Sequence, residues 1–335
     1  NSCGTQKKVR YHARGNSRII LFGRVLFGNI TMQEFWSEYI ELVTGTFTVL
    51  VFAYLSLLLT WPTFLLLEKF KPVKKYTSRS NYTLNWKITC SNLLLAPPFA
   101  AMIVLFAVSL VNYSGLTQLR IPTSELSVGI PFFDVILQGT IIFFTAVFLG
   151  DFWYYWWHRA QHKVPFLWEL HKLHHSDEHM NSTTIYRSHF LEPAGQALVK
   201  GLTIGLIFDV TEAPETVLAI VAAGLLPVLW DYFIHANVRI DRLNRLMPFF
   251  SVPQYHWIHH SKMPQHQDKN FAIWLPMFDV AFGSYYRPSV DEYPASGLSS
   301  GEKIESLWEA QTGPFSAWLQ MLKNRYARRP RGQIS

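Results

Sequence analysis

The chain has 335 residues, 49% of them hydrophobic, 16% charged and 16% aromatic, with a formal net charge of +7. Soluble domains carry about 25% charged residues, so a mostly water-facing surface is excluded. The excess of Lys and Arg suits an anionic membrane surface, and the apolar content favours that over nucleic acid. Two cysteines, Cys3 and Cys90, lie far apart and offer neither a disulfide framework nor a thiolate metal site.

At the N-terminus, Ile19–Phe27 is short, apolar and interrupted by Arg24, which is not a clean signal peptide. Gly45–Leu67 is uncharged and long enough to span a bilayer, with Pro62 near its end. Leu93–Val111 is a second span, entered through Pro97 and Pro98, and Ile130–Trp157 a third, closed by the aromatic run Phe152–Trp157 at the interface. Ala197–Phe208 and Thr216–Ile234 read as a helical hairpin turning near Pro214. The loop Glu68–Ser91 holds Lys69, Lys71, Lys74, Lys75, Arg79 and Lys87 and is expected on the cytoplasmic side, as is everything after Trp157. That topology leaves the basic N-terminal stretch outside. Either residues 1–42 include a re-entrant element, or the first apolar segment is a hairpin broken near Pro62. From Tyr285 the chain reads as polar loop, ending in an amphipathic helix over Pro314–Arg325 with Phe315, Trp318, Leu319 and Leu322 on one side. The expected fold is all-α: a single multi-pass transmembrane bundle over 1–335, with N-terminal spanning helices (43–131), a catalytic region (132–287) under a cytoplasmic histidine-rich cap, and a peripheral segment (288–335).

Most of the 13 histidines fall between His158 and His260, in three tight groups: His158 and His162; His171, His174 and His175; His256, His259 and His260. Residues at i, i+3 and i+4 share a helix face, so each group aims its rings at a common point. One such pair is commonly structural. Three together near a bilayer are costly to bury without a ligand role. Imidazole suits Fe, Zn, Cu or Ni. Carboxylates are scarce nearby, which argues against Ca and Mg.

These stretches resemble the fatty acid hydroxylase/sterol desaturase superfamily. The similarity runs from Asp151–His162 and Leu167–Ser176 through Phe233–Arg239 to His256–Ser261, Asp268–Phe271 and Phe278–Tyr285, within about Phe132–Arg287. The resemblance implies a membrane enzyme with a non-haem di-iron centre that uses O2 and external electrons to hydroxylate, desaturate or demethylate a lipid of sterol or fatty-acyl type. It implies as metal ligands His158, His162, His171, His174, His175, His256, His259 and His260, with His235 as the family's additional histidine. Asp151, Asn237 and Asp268 are expected to orient ligand imidazoles, and His179 and His189 to stand behind them; His12 and His266 are assigned to the surface.

An unactivated C–H bond needs a redox metal; zinc, a plausible substitute in the site, lacks that chemistry. No dinucleotide turn, haem-attachment motif or ferredoxin-like cysteine set is visible, so a separate cytochrome, ferredoxin or reductase is expected as electron donor. A His-rich metal transporter would place ligands at mid-membrane, and a zinc-dependent membrane hydrolase would want a glutamate beside its histidines; both stay as alternatives. An endoplasmic-reticulum membrane or a bacterial inner membrane would suit the chain.

Overall fold

A computed structural model describes residues 32–76, 80–114, 128–193, 195, 196, 198 and 214–327. His12, the N-terminal apolar stretch and nearly all of the 197–208 segment lie outside them. The described residues are helical, and their one β feature is an isolated bridge between Ser261 and Ser296.

Helix α1 spans Met32–Phe70, 39 residues, and carries the uncharged stretch 45–67 within it. At ~1.5 Å per residue it is about 58 Å long, well beyond a bilayer core of about 30 Å. It runs through Pro62 without reversing, so the hairpin considered for this segment does not form. Helix α2 (Ser80–Ser114) packs along α1. Its membrane-length apolar window is Tyr82–Ala107, earlier than the expected 93–111. The polar residues of that half explain the shift. Asn85, Thr89 and Asn92 are buried, and each makes its hydrogen bonds inside the protein.

Helix α3 (Pro131–Lys163) holds the second such window, Phe133–Lys163. It continues past Trp157, so the first two histidines ride on the last turns of an apolar helix. Ile142, Ala146, Asp151, Tyr155 and His158 form its buried face, while Phe133, Val135, Phe144, Phe148, Trp153 and Trp156 point outward. Val164 adopts an extended conformation before Pro165, as the residue preceding a proline prefers, and this ends α3. Helix α4 (Pro165–His175) then starts with proline at its first position and packs on α3.

Helix α5 (Pro214–His235) lies against α3 and ends on a histidine. Helix α6 (Pro253–His259) is almost wholly buried. The short α7 (Met277–Ala281) places Phe278 with Tyr155, Phe271 and Ala272 in a core beneath α3. Helix α8 begins at Leu307, earlier than the expected Pro314, and runs to Ala327. Its first turn is packed on the bundle: Ala310, with Ile304, joins Leu84, Ile88 and Leu173 in a core shared by α2 and α4. Further on, Phe315, Leu319 and Leu322 are exposed, and Trp318 stacks on Phe166 at 4.0 Å.

Candidate metal centre

Four helices bring nine imidazoles together: His158 and His162 from α3, His171, His174 and His175 from α4, His235 at the end of α5, and His256, His259 and His260 at the end of α6. They divide into two groups. His158, His162, His171, His175 and His259 form one, His174, His235, His256 and His260 the other, and within each the potential ligand atoms lie within 4.8 Å of one another. The groups share a wall, with the rings of His175 and His260 stacked at 4.5 Å.

In the first group, His171 Nε2 is 3.0 Å from His158 Nε2 and 3.2 Å from His175 Nε2. In the second, His235 Nε2 is 3.1 Å from His174 Nε2 and 2.9 Å from His256 Nε2, and His260 Nε2 is 3.1 Å from His256 Nε2. Nitrogens bound at right angles to one ion at about 2.1 Å stand about 3.0 Å apart.

The outward nitrogens decide what the inward ones can do. His235 Nδ1 donates to the Asp231 carbonyl at 2.7 Å, with the carboxylate Oδ1 at 3.1 Å, and His174 makes a backbone hydrogen bond to Thr184. Both rings thus spend their proton outward and face each other with bare Nε2 lone pairs. The first group repeats this: His158 Nδ1 lies 2.7 Å from the Phe271 carbonyl and His259 Nδ1 2.9 Å from the Lys269 carbonyl, and His259 Nε2 is buried with no partner. Protonating the inward nitrogens would relieve the repulsion, but burial opposes it. It holds His171, His174, His175, His256 and His260 well below the ordinary histidine range, and His259 down to about 4. Neutral, converging, unprotonated imidazoles fit a cation in each group.

Several residues hold this arrangement. Glu192 Oε1 lies 2.6 Å from His171 Nδ1 and accepts from Gln161 Nε2 at 2.8 Å; burial pushes its carboxyl up to about 8. Asp279 accepts the backbone N–H groups of Phe271 and Ala272 at 2.8 Å and the Tyr255 hydroxyl at 2.5 Å, aiming the Phe271 carbonyl at His158. Asp268 and Asn270 take left-handed φ values of 59° and 60° on either side of Lys269, which turns the Lys269 carbonyl toward His259. Arg187 closes the end of α4, donating to the Leu173 carbonyl, Ser176 Oγ and the Ile304 carbonyl.

The residues expected to orient imidazoles directly do other work. Asp151 accepts the backbone N–H groups of Trp274 and Leu275, holding the loop that carries Phe271. Asn237 bonds the backbone of Lys74, because the loop after α1 folds against the end of α5. Asp268 pairs with Lys163 at 2.5 Å on the surface. His179 packs on Tyr76, and His189 faces α8, bonded to the Gln311 carbonyl at 3.1 Å; neither belongs to a histidine group. His266 is buried, not on the surface, between Ser261 Oγ and Glu292. Glu192 and Asp231 did carry signals, Asp231 by its i,i+4 spacing to His235 and Glu192 as the carboxylate three residues after His189. The carbonyl acceptors carried none.

Residues 143–284, which contain all nine histidines, match the fatty acid hydroxylase family. Among characterised proteins, the chain is 29% identical over 175 residues to an alkylglycerol monooxygenase of Caenorhabditis elegans, covering 49% of this chain and 32% of the relative. It is 32% identical over 143 residues to the alkylglycerol monooxygenase of Homo sapiens, covering 42% and 30%. It is 25% identical over 151 residues to a very-long-chain aldehyde decarbonylase of Oryza sativa, covering 43% and 22%. The chain thus matches a third or less of the length of these relatives. No solved structure matches it.

Proposed function

We propose, from the premise that this chain belongs to the fatty acid hydroxylase/sterol desaturase superfamily through residues 143–284, that it is a membrane-bound non-haem di-iron oxygenase hydroxylating or desaturating a lipid of sterol or fatty-acyl type. The observation that carries the reading is the pair of bare, facing Nε2 sets, one in each histidine group. His158, His162, His171, His175 and His259 would hold one iron, and His174, His235, His256 and His260 the other. Bound there, two irons would supply the activation of O2 that no side chain can. Hydroxylation turns a C–H bond and O2 into an alcohol and water, consuming two electrons and two protons; desaturation removes two hydrogens instead. The electrons come from a separate cytochrome, ferredoxin or reductase.

The chain's own part is positional. Glu192 and the backbone carbonyls of Phe271, Lys269, Asp231 and Thr184 keep ligand rings in the tautomer that bares Nε2. Burial of eight of the nine rings shields most of the centre from bulk water. Helices α1, α2, α3 and α5 form the spanning bundle, and the histidines sit on its cytoplasmic side. Support for that side comes from the basic loop after α1: Arg239 N–H bonds the Lys71 carbonyl at 2.8 Å, and Glu68 accepts the N–H groups of Ser182 and Asn237, so the loop lies beside the histidines. The relatives' names, alkylglycerol monooxygenase and aldehyde decarbonylase, support a lipid as substrate.

The test is oxidation itself. Iron-loaded protein in lipid nanodiscs, given a reductase and O2, is expected to yield hydroxylated or desaturated lipid, with none formed under argon. A protein that binds iron in full yet oxidises no lipid in a broad acyl, ether and sterol panel would overturn the proposal.

A further inference from the structure

Helix α8 lies outside residues 143–284, yet a buried histidine ties it to the five-histidine group. His189 is fully buried, and its two ring nitrogens meet backbone groups of fixed character. The Leu191 N–H can only donate, and it lies 3.3 Å from Nδ1. The Gln311 carbonyl, in α8, can only accept, and it lies 3.1 Å from Nε2. His189 is therefore the neutral tautomer that carries its proton on Nε2.

The side chain of Gln311 closes the circuit. Its Nε2 donates to Ser91 Oγ at 2.8 Å and to Asn92 Oδ1 at 2.9 Å, both on α2. Asn92 Nδ2 donates in turn to the Ser188 carbonyl at 2.8 Å. That carbonyl needs a donor, which sets the amide orientation of Asn92 and, through it, that of Gln311. Ser188 is thus held by α2 and His189 by α8. Together they hold a turn, in which the Glu192 N–H donates to the His189 carbonyl at 2.9 Å. The side chain that leaves this turn is the Glu192 carboxyl, 2.6 Å from His171 Nδ1. A buried histidine is commonly satisfied for its own sake. This one fixes the backbone from which the acceptor of a ligand ring is presented.

We infer that His189 is a positioning residue that ties α8 to the five-histidine group, acting through Glu192 on His171. The C-terminal helix is then a working part of the metal centre, beyond the stretch that matches the family. The inference rests on the reading of the five-histidine group as a metal site.

The experiment separates the two ring nitrogens. In His189→Asn the side-chain oxygen can take the Leu191 N–H, but the side chain is too short to reach Gln311. In His189→Gln the side-chain amide can donate to Gln311 again. The full chain in detergent is loaded with zinc, which fills imidazole sites without redox chemistry, and a graded series of chelators draws the zinc off. His189→Asn should hold one of its two zincs about three- to tenfold more weakly and the other as wild type does. That loss is below the 10–100-fold of a group bonded directly to a ligand ring, because His189 acts one step further out. His189→Gln should return to within about twofold of wild type, its bond to Gln311 being remade. In a Glu192→Gln background, His189→Asn should add less than about twofold, since residues acting in one chain of contacts are not additive. The inference would be overturned by a folded His189→Asn that holds both zincs like wild type or weakens both equally. It would be overturned as well by no recovery in His189→Gln, or by full additivity with Glu192→Gln.

Should His189→Asn fail to fold, hydrogen exchange on the wild type decides. Metal binding and the docking of α8 are linked, so zinc should slow the amides of 310–313 at least about threefold and leave those of 35–45 in α1 unchanged. Unchanged exchange at 310–313 would overturn the inference. A wild type that takes up no zinc would remove the metal-site reading itself, and the inference with it.

Discussion

Removing Glu192 should loosen metal binding in the five-histidine group. Its Oε1 serves both His171 Nδ1, at 2.6 Å, and Gln161 Nε2, at 2.8 Å, while Oε2 is buried with no partner. In Glu192→Gln the amide oxygen can still accept both bonds, but the NH2 replaces Oε2 where nothing can accept it, which disturbs the acceptor that holds the His171 ring. Partners of this kind are worth about 10–100-fold in metal affinity, so Gln should cost about tenfold and Ala, which strands both donors, about a hundredfold. The Ala variant should also lose about 2–6 kcal/mol of stability, from two buried donors at about 1–3 kcal/mol each. Competition against a graded series of chelators reads the affinity, and thermal unfolding in the same detergent reads the stability. Wild-type metal affinity in both variants would refute the claim that Glu192 sets the His171 tautomer.

Other consequences follow from burial and packing. The buried histidines have folded values below their ordinary range, His259 at about 4, so their contribution is fully present above about pH 6.5 and is lost as pH falls toward 4. Metal-free protein should therefore lose melting temperature steeply across that window, and a flat profile would contradict the buried neutral rings. Asp279→Ala strands two backbone N–H groups and the Tyr255 hydroxyl, so it should destabilise by about 3 kcal/mol or more and lower metal content with it, by unfolding and metal analysis. A Cβ at Gly195 would overlap the Trp157 ring at Cζ2, so Gly195→Ala should cost about 1–3 kcal/mol, and an unchanged melting temperature would disprove that contact.

The histidines were legible because their spacing is local. His158 and His162 are one helical turn apart, and so are His171 and His175. Their sorting was not legible. His174 and His175 are neighbours in sequence yet join different groups, as do His259 and His260, because adjacent helical residues point about 100° apart and only the fold shows what each one meets. The acceptors behind the rings are mostly backbone carbonyls, which carry no residue signature. His266 reads as surface in the polar run Pro264–Asp268, but the turn tucks its ring between Ser261 and Glu292. The two membrane-length apolar helices, α2 and α3, followed from length and apolar content, except where inward-facing Asn85, Thr89 and Asn92 disguised the first half of α2 as loop.

If the nine histidines form two metal sites, the metal content of site-specific variants will show it. Wild type purified from iron-supplemented cells should carry about two irons per chain, as a two-metal site requires. His162→Ala, in the five-histidine group, and His235→Ala, in the four-histidine group, should each fall toward one while remaining folded. A wild type with no stoichiometric metal, or both variants binding as the wild type does, would contradict the account.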